Sequence, residues 1–311
     1  MILITGSTGF VGQRVTAWLT AAGHQVCCLV RGAPKERRFP PGASVHVVVG
    51  DVDDPPYLRA AMQDVETIIH LAALYVEDSQ HTFESVNYQG TLNVIEAARE
   101  AGVKHLIYLS HTGADPNSAY AFWRSKGLAE DAIRTSRLDF TILRSSMLYG
   151  EHDEWTTNIG MVLKSVPLFF PVAGDGQARF QPLWVEDIVK CIEQCLDNPS
   201  CSNKTLSVGG PEYFTLDQII DIMASVLNVR RRKVYLRLPV ATWLAKVMQR
   251  VMIRPLLTQT AIDRLSVNAT TDLNTIQWQF GFRPVRFVDG IGYLRNRSLR
   301  REFLRRIIVG V

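Results

Sequence analysis

The chain opens with the stretch Met1-Ile2-Leu3-Ile4-Thr5-Gly6-Ser7-Thr8-Gly9-Phe10-Val11-Gly12, in which a short apolar run leads directly into three glycines. Apolar residues with helical spacing continue to Ala22, so the glycines separate a predicted first strand from a predicted first helix. Gly6 permits a tight turn, Gly9 lets the backbone approach a pyrophosphate, and Gly12 lets the helix pack closely on the strand. The free N–H groups of the helix N-terminus suit an anion. The loop therefore predicts a dinucleotide site; the alternative is a glycine turn without a ligand.

Beyond this loop, apolar strand segments alternate with longer helical segments through the first half of the chain. The predicted strands are Ile2–Ile4, Gln25–Val30, Val45–Val49, Thr67–Leu71, His105–Leu109 and Asp139–Leu143. The predicted helices are Val11–Ala22, Phe83–Ala101 and Ala119–Thr135. This alternation favours right-handed crossovers and a parallel sheet that is covered on both faces. We therefore predict an α/β fold with a doubly wound parallel sheet.

The alternation loosens after about residue 150, which predicts a second, smaller region. We place a dinucleotide-binding domain at 1–150 and a smaller C-terminal α/β region at 151–311, which binds a substrate or a partner. Residues 181–210 are expected to return to the first domain.

Composition excludes several classes of protein. Hydrophobic residues make up 47% and charged residues 21% of the chain, a balance that excludes a disordered chain. No stretch approaches the roughly 20 apolar residues of a spanning helix, and the first residues lack the basic region of a signal peptide. The five cysteines include no C-x-x-C pair, so neither a disulfide framework nor a metal site is expected. We expect a cytoplasmic protein, or one that lies peripherally on the inner face of a membrane.

Several motifs, in chain order, resemble the extended and atypical members of the short-chain dehydrogenase/reductase superfamily, which are similar to NAD-dependent epimerases and dehydratases. The first is the G-x-x-G-x-x-G spacing of the glycine loop. The others are Gly50-Asp51-Val52, His70-Leu71-Ala72-Ala73, Asn87-Tyr88-Gln89-Gly90-Thr91-Leu92-Asn93, Arg144-Ser145-Ser146-Met147-Leu148-Tyr149-Gly150, Gln181–Ile188, and Gly281-Phe282-Arg283-Pro284 with Asp289-Gly290-Ile291. The resemblance implies a Rossmann fold. It also implies a nicotinamide dinucleotide held by Thr5 to Gly12, by Asp51 and Val52, and by Leu71, Ala72 and Ala73.

The end of the second strand bears on which dinucleotide binds. An NAD-selective site normally places Asp or Glu about 20 residues beyond the glycine loop, where it binds the ribose hydroxyls. Here the strand ends in Arg31, whose guanidinium suits a 2′-phosphate. Lys35, Arg37 and Arg38 would add positive charge. Arg31 therefore favours NADP(H) over NAD(H); the alternative is a solvated loop arginine.

The catalytic signature of the superfamily is incomplete in this chain. In the superfamily a Tyr and a Lys, spaced Y-x-x-x-K on one helix face, act as the proton-transfer group and the ribose-binding group. Lys126 matches the lysine, but Phe122 stands where the tyrosine is expected, and a phenyl ring transfers no proton. Tyr120 lies too far around a helix to replace it unless the helix begins after Tyr120. Ser110 and Thr112 match the region of the catalytic Ser/Thr, and Thr112 fits better.

Charge is divided unevenly along the chain. Residues 1–227 hold 17 Lys/Arg and 26 Asp/Glu, a net charge of −9. Residues 228–311 hold 17 Lys/Arg and only 4 Asp/Glu, a net charge of +13, so the whole chain has a net charge of +4. The basic part contains two amphipathic segments, one from Val240 to Met252 and one from Leu294 to Val311. Leu244, Val247, Met248 and Val251 share a face of the first, and Leu299, Phe303, Ile307 and Val311 share a face of the second.

Cationic faces opposite apolar faces are typical of helices that lie on anionic lipid. The alternative is a pair of helices packed on the rest of the chain, with solvated arginines. Nucleic acid is the least favoured partner, because no recognition motif accompanies the charge. We therefore expect residues 228–311 to contact an anionic membrane surface or a membrane protein complex.

These features together resemble one atypical subgroup of the superfamily, which contains the nucleotide-binding accessory subunit of respiratory complex I and its bacterial relatives. That resemblance implies tight NADPH binding without turnover, beside a membrane. We predict a catalytically weak NADP(H)-binding protein with a structural or assembly role. One alternative is an NADPH-dependent oxidoreductase, epimerase or dehydratase that uses Tyr120, Tyr149 or water in place of the missing tyrosine. The other is a sensor of the NADPH/NADP⁺ ratio.

Overall fold

A computed structural model of the protein describes residues 1–32, 45–267 and 269–308. The strands, in chain order, are β1 (Ile2–Thr5), β2 (Val26–Val30), β3 (Val45–Val49), β4 (Thr67–His70), β5 (His105–His111), β6 (Asp139–Ser145), β7 (Leu148–Tyr149), β8 (Phe169–Ala173), β9 (Arg179–Phe180), β10 (Leu183–Trp184), β11 (Lys204–Val208), β12 (Phe214–Thr215) and β13 (Arg232–Leu236). The helices are α1 (Phe10–Ala21), α2 (Pro55–Ala61), α3 (Gly90–Glu100), α4 (Ala121–Thr135), α5 (Glu154–Ser165), α6 (Val185–Asp197), α7 (Leu216–Val226), α8 (Leu238–Val251), α9 (Gln259–Asp263), α10 (Thr275–Phe280), α11 (Phe287–Gly290) and α12 (Leu299–Ile308).

The chain divides into two compact units. The first consists of Met1–Ser145 and Glu186–Val208, and the second consists of Ser146–Val185 and Gly209–Val311, described as far as Ile308. Each unit has its own core of buried apolar side chains.

The first unit is built on a seven-stranded sheet in the order β11-β6-β5-β4-β1-β2-β3. Every neighbouring pair in this sheet is parallel. The order reverses between β1 and β4, which is where doubly wound sheets bind ligands at the carboxyl ends of their strands. The predicted doubly wound parallel α/β fold is confirmed.

The central strands β1 and β2 are buried along their whole length, because both faces of a parallel sheet are covered. All five residues of β2 are buried, and so are all four of β1. The core on one side contains Leu3, Leu106 and Ile133, whose side chains come from two strands and α4. This rigid sheet fixes the positions of the loops that follow β1, β4 and β5.

The helix predicted at Phe83–Ala101 has an interruption. Glu84–Gln89 forms a wider, π-helical turn, and regular α-helix begins at Gly90. An added Cβ at Gly90 would crowd the Val52 side chain, so a glycine lets the helix approach the β3–α2 loop. The sequence also did not predict β11, which adds a seventh strand beside β6.

The second unit is assembled from short strand pairs and helices. β7 pairs with β10 and β8 with β13 in parallel, whereas β9 and β12 are antiparallel. The C-terminal segment predicted as one helix consists of a 3-10 turn, Ile291–Asn296, followed by α12. Val311, predicted to extend the apolar face of that segment, lies outside the described residues.

Candidate cofactor-binding site

The glycine loop connects β1 to α1 through a turn that tolerates no side chain at two of its glycines. Gly6 has φ of +71°, and a Cβ there would lie 2.7 Å from the backbone nitrogen of Ala72. A Cβ at Gly12 would overlap the carbonyl oxygen of Gly6. The roles predicted for Gly6 and Gly12, a tight turn and close helix packing, correspond to this crowding.

The N-terminus of α1 suits a phosphate. Gly9 is the N-cap and provides no side-chain cap, and the first turn of the helix has no acidic residue. Free N–H groups and the positive end of the helix dipole therefore remain available to an anion. Thr5 to Gly12, the predicted cofactor segment, thus forms a cradle that fits a dinucleotide.

A buried hydrogen-bond network ties this loop to the end of β4. The Thr91 hydroxyl donates to the carbonyl of Asn87 at 2.6 Å, so it accepts from His70 Nε2 at 3.0 Å. His70 Nδ1 then accepts from the Thr5 hydroxyl at 2.6 Å. Ala72 N–H donates to the same Thr5 oxygen at 3.3 Å. Burial, followed by the charge of Lys126, lowers the pKa of His70 to about 3, so the ring is neutral and structural.

This network brings Leu71 and Ala72 against the glycine loop, and Ala73, the third predicted cofactor-binding residue of this segment, follows them directly in the chain. Leu71 N–H also donates to the carbonyl of Thr5. The predicted sites after β1 and β4 therefore form one continuous surface at the switch point of the sheet.

Arg31 lies directly after β2 and faces the end of β3. Its Nε is 3.6 Å from Asp51 Oδ2, and 62% of its side chain is exposed. Asp51 also accepts from the N–H of Val52, while burial raises the pKa of its carboxyl. Arg31, predicted to bind a 2′-phosphate, and Asp51, which the resemblance implies in cofactor binding, are thus neighbours. Lys35, Arg37 and Arg38 lie outside the described residues.

Lys126 is sealed inside the first unit. Only 1% of the residue is exposed, and its Nζ donates to the Tyr108 hydroxyl at 3.0 Å and to the Leu109 carbonyl at 2.9 Å. The Tyr108 ring also stacks on His70, with centroids 5.4 Å apart. Burial lowers the pKa of Lys126 to about 7. An ammonium has three N–H donors, and these two contacts use two of them.

Phe122 is packed into a cluster of aromatic rings. It is 1% exposed, and its ring centroid lies 5.1 to 5.8 Å from those of Tyr75, Phe83, His111 and Trp123. Edge-to-face and tilted contacts of this kind are favourable for apolar rings. The position that resembles the family's proton-transfer tyrosine therefore belongs to an apolar cluster.

Tyr120 precedes the helix that carries Lys126. It is the N-cap of α4 and has an extended backbone. Its ring packs edge-on against that of Trp123, with ring centroids 6.1 Å apart. Tyr120 could replace the missing tyrosine only if the helix begins after it, and the helix does begin at Ala121. The described contacts place its ring against Trp123.

The two predicted hydroxyl residues after β5 differ in their surroundings. The Ser110 hydroxyl donates to Glu130 Oε1 at 2.5 Å, and Glu130 is fully buried between Arg134 and Arg144. Thr112 donates weakly to the Arg144 carbonyl at 3.4 Å and is 7% exposed. Ser110 is thus committed to a buried ion network, and Thr112 is the freer of the two.

Tyr149, predicted as another source of a phenol, is fully buried in the second unit. Its hydroxyl donates to the carbonyl of Arg286, and its ring packs on Trp184 and Phe287.

Sequence reasoning did not identify Glu130 or Tyr108. Glu130 follows Lys126 by four residues, so both lie on one face of α4. A charged residue on the buried face of a helix is the signal that points to it. Tyr108 stands two residues before Ser110 in β5, so alternation along the strand places both side chains on the same face.

Comparisons with known proteins agree with this geometry. A family model described as NAD(P)H-binding matches residues 6–168. The chain is 29% identical over 248 residues to the mitochondrial NADH dehydrogenase [ubiquinone] 1 alpha subcomplex subunit 9 of Arabidopsis thaliana, covering 78% of this chain and 61% of that relative. It therefore spans less than two thirds of that protein.

Two further proteins are similar. A ceramide reductase of Caulobacter vibrioides is 30% identical over 240 residues, which cover 77% of this chain and 74% of the relative. The crystal structure of a UDP-glucose 4-epimerase from Thermotoga maritima with UDP-glucose superposes with a TM-score of 0.72 and 19% identity, and the match covers 98% of both chains. At 19% identity, the match to this crystal structure shows the fold alone. The resemblance to short-chain dehydrogenases/reductases, and to the complex I accessory subunit among them, is confirmed.

Proposed function

Because the chain belongs to the NAD(P)H-binding family, we propose that it holds NADP(H) as an accessory protein with little or no turnover, at a membrane surface or a membrane complex. The observation that carries this proposal is the contrast between a formed cofactor cradle and Phe122. A general acid or base must reach the reacting group. At this position the protein has instead a phenyl ring that is enclosed by four other rings.

The residues present fit the cofactor. The N-terminus of α1 would hold the pyrophosphate, Arg31 the 2′-phosphate, and the third N–H of Lys126 a nicotinamide ribose hydroxyl. The nicotinamide supplies or accepts a hydride when bound. A hydride transfer to a carbonyl also needs a proton, and Phe122 provides none.

Two observations support the membrane setting. The similar plant protein is a mitochondrial NADH dehydrogenase subunit by name, and residues 228–311 carry a net charge of +13. Among the described residues, none of the helices has the length and apolar character needed to cross a bilayer.

The test is a titration of the purified protein with NADPH and, in parallel, with NADH, followed by fluorescence. We expect micromolar or tighter NADPH binding, weaker NADH binding, and an absorbance of bound NADPH that stays constant when a metabolite extract is added. Oxidation of the bound NADPH would contradict the accessory role. Absence of NADPH binding would contradict the whole proposal.

Two observations favour an NADPH-dependent oxidoreductase as the second candidate. Tyr120 lies outside α4, and a similar protein is a reductase by name. In that case Tyr120→Phe abolishes the oxidation of NADPH. Tyr57→Phe, which changes an exposed tyrosine on α2, leaves it unchanged.

A further inference from the structure

Helix α8 packs with its small residues inward and its large apolar residues outward. Ala241 and Ala245 are fully buried and form a small core with Ile262. Val240, Trp243, Val247 and Val251 follow one another at intervals of three or four residues, so they form one stripe. All four are exposed, Trp243 to 65% and Val251 to 78%.

This outer stripe differs from the usual arrangement of an amphipathic helix. A surface helix normally turns its large apolar residues toward the core and its polar residues toward water. Single exposed apolar residues are common, but an aligned set marks an interaction surface. Ile253, two residues beyond the helix, is 79% exposed and extends the apolar surface past its end.

The charged residues of α8 and of the chain segments next to it have one sign as far as Ile262. Residues 228–262 contain eight Lys/Arg and no Asp/Glu. Among the described residues Lys233 is paired with Asp217 and Asp221, whereas Lys246 and Arg250 form no ion pair. Helical spacing places Lys246 and Arg250 along the border of the stripe beside Trp243. The stripe therefore has a cationic border that no acidic residue of α8 offsets.

We propose that α8 docks on an anionic lipid bilayer, with the stripe at the boundary between headgroups and acyl chains. Trp is enriched at that boundary, and flanking Lys and Arg reach the phosphates with their long side chains. An apolar helix face bordered by cations is the pattern of interfacial helices. This inference deepens the proposed function and rests on its membrane setting, since it assigns the contact to α8 and to lipid.

Helix α12 serves as an internal contrast. It is also rich in arginine, but Leu299 is buried and Phe303 packs on the core of the second unit. Arg297 pairs with Glu302, and Arg300 donates to the carbonyl of Lys164. The apolar face predicted for this segment is thus used partly for packing within the protein, and the stripe of α8 is not.

The test is flotation of the full chain with vesicles of phosphatidylcholine, with and without phosphatidylglycerol. We expect binding only to the anionic vesicles. Lys246→Glu/Arg250→Glu should weaken it by at least about thirtyfold, from the contribution of each cation near an anionic surface. Trp243→Ser/Val251→Ser should weaken it by about tenfold through lost apolar burial.

A matched control distinguishes the loss of cations at α8 from a general change in the net charge of the protein. Arg99→Glu/Lys204→Glu makes the same change in net charge at two exposed residues of the first unit, and should leave vesicle binding within about twofold of the wild type. NADPH titration of every variant should be unchanged. Loss of NADPH binding in the wild type would overturn the proposed function, not this inference.

Two outcomes would overturn the inference itself. In the first, the wild type still binds NADPH but does not bind anionic vesicles; if the α8 variants then lose association with a membrane protein complex, α8 contacts protein and not lipid. In the second, both α8 variants bind the anionic vesicles as tightly as the wild type does.

Discussion

Two strand-to-helix connections of the same sheet, β1–α1 and β5–α4, are occupied by different kinds of residue. Between β1 and α1, glycines leave space where any side chain would collide with backbone. Between β5 and α4, the corresponding space is filled by the rings around Phe122. The difference shows that cofactor binding and proton transfer depend on separate residues, because one requires exposed backbone N–H groups and the other a polar side chain. In the function that we propose, cofactor binding is retained without proton transfer.

The largest expected effect concerns Lys126, which lies buried on α4. The pKa of Lys126 is about 7 in the folded protein, whereas that of an exposed lysine is 10.5. Between these two pH values the lysine is protonated in the unfolded chain and neutral in the folded protein. Stability therefore rises with pH in this range, by up to about 4 kcal/mol between pH 7 and pH 10. We expect Lys126→Met to lose this rise in urea unfolding measured across pH. The exposed Lys204→Met serves as control, and an equal pH dependence in both variants would contradict the burial of Lys126.

The second effect tests the crowding at the glycine loop. Gly6 and Gly102 have nearly the same φ, +71° and +69°, but a Cβ at Gly102 meets nothing within 4 Å. Gly102→Ala should cost about 1–2 kcal/mol of stability from backbone strain, and Gly6→Ala should cost more because its Cβ also collides with the backbone of Leu71 and Ala72. Only Gly6→Ala should lower NADPH affinity, by about a hundredfold, because Leu71 and Ala72 must shift. Equal NADPH affinities of the two variants would show that the loop does not hold the cofactor.

The third effect probes the aromatic cluster. Phe122→Tyr adds a hydroxyl inside a buried aromatic cluster, which should lower the unfolding free energy by about 2 kcal/mol. We expect NADPH affinity to stay the same and NADPH oxidation to remain at background. Phe169→Tyr, at an exposed site, should be neutral in thermal unfolding. A gain of turnover in Phe122→Tyr would mean that the phenol alone was missing and that the junction is otherwise competent.

The smallest effect concerns cofactor choice. Arg31→Ala should lower NADPH affinity about tenfold and leave NADH affinity unchanged, because a guanidinium binds a 2′-phosphate more strongly than a hydroxyl. Its exposed ion pair with Asp51 contributes little to stability, so thermal unfolding should hardly change. Parallel losses for both cofactors would assign Arg31 to the adenosine generally and not to the phosphate.

Much of the first unit was predictable because its signals are local. Apolar runs located six strands of the sheet, with Val45–Val49 matched to the residue and the others within about two residues. The widened turn at Glu84–Gln89 was not predictable, since the side-chain periodicity around it remains helical. Neither was the burial of Glu130, which depends on Arg144, fourteen positions along the chain on another element.

The sequence by itself determined the doubly wound sheet, the glycine loop and the loss of the tyrosine at Phe122, because each depends on residue types at fixed spacing. It also determined that the C-terminal part is basic and that α8 is amphipathic. Only the tertiary structure decided that Ala241 and Ala245 face inward and Trp243 outward, and that Lys126 and Ser110 are bound to protein groups. The physical reason is that burial and hydrogen bonding are set by partners distant in sequence, whose positions no local pattern records.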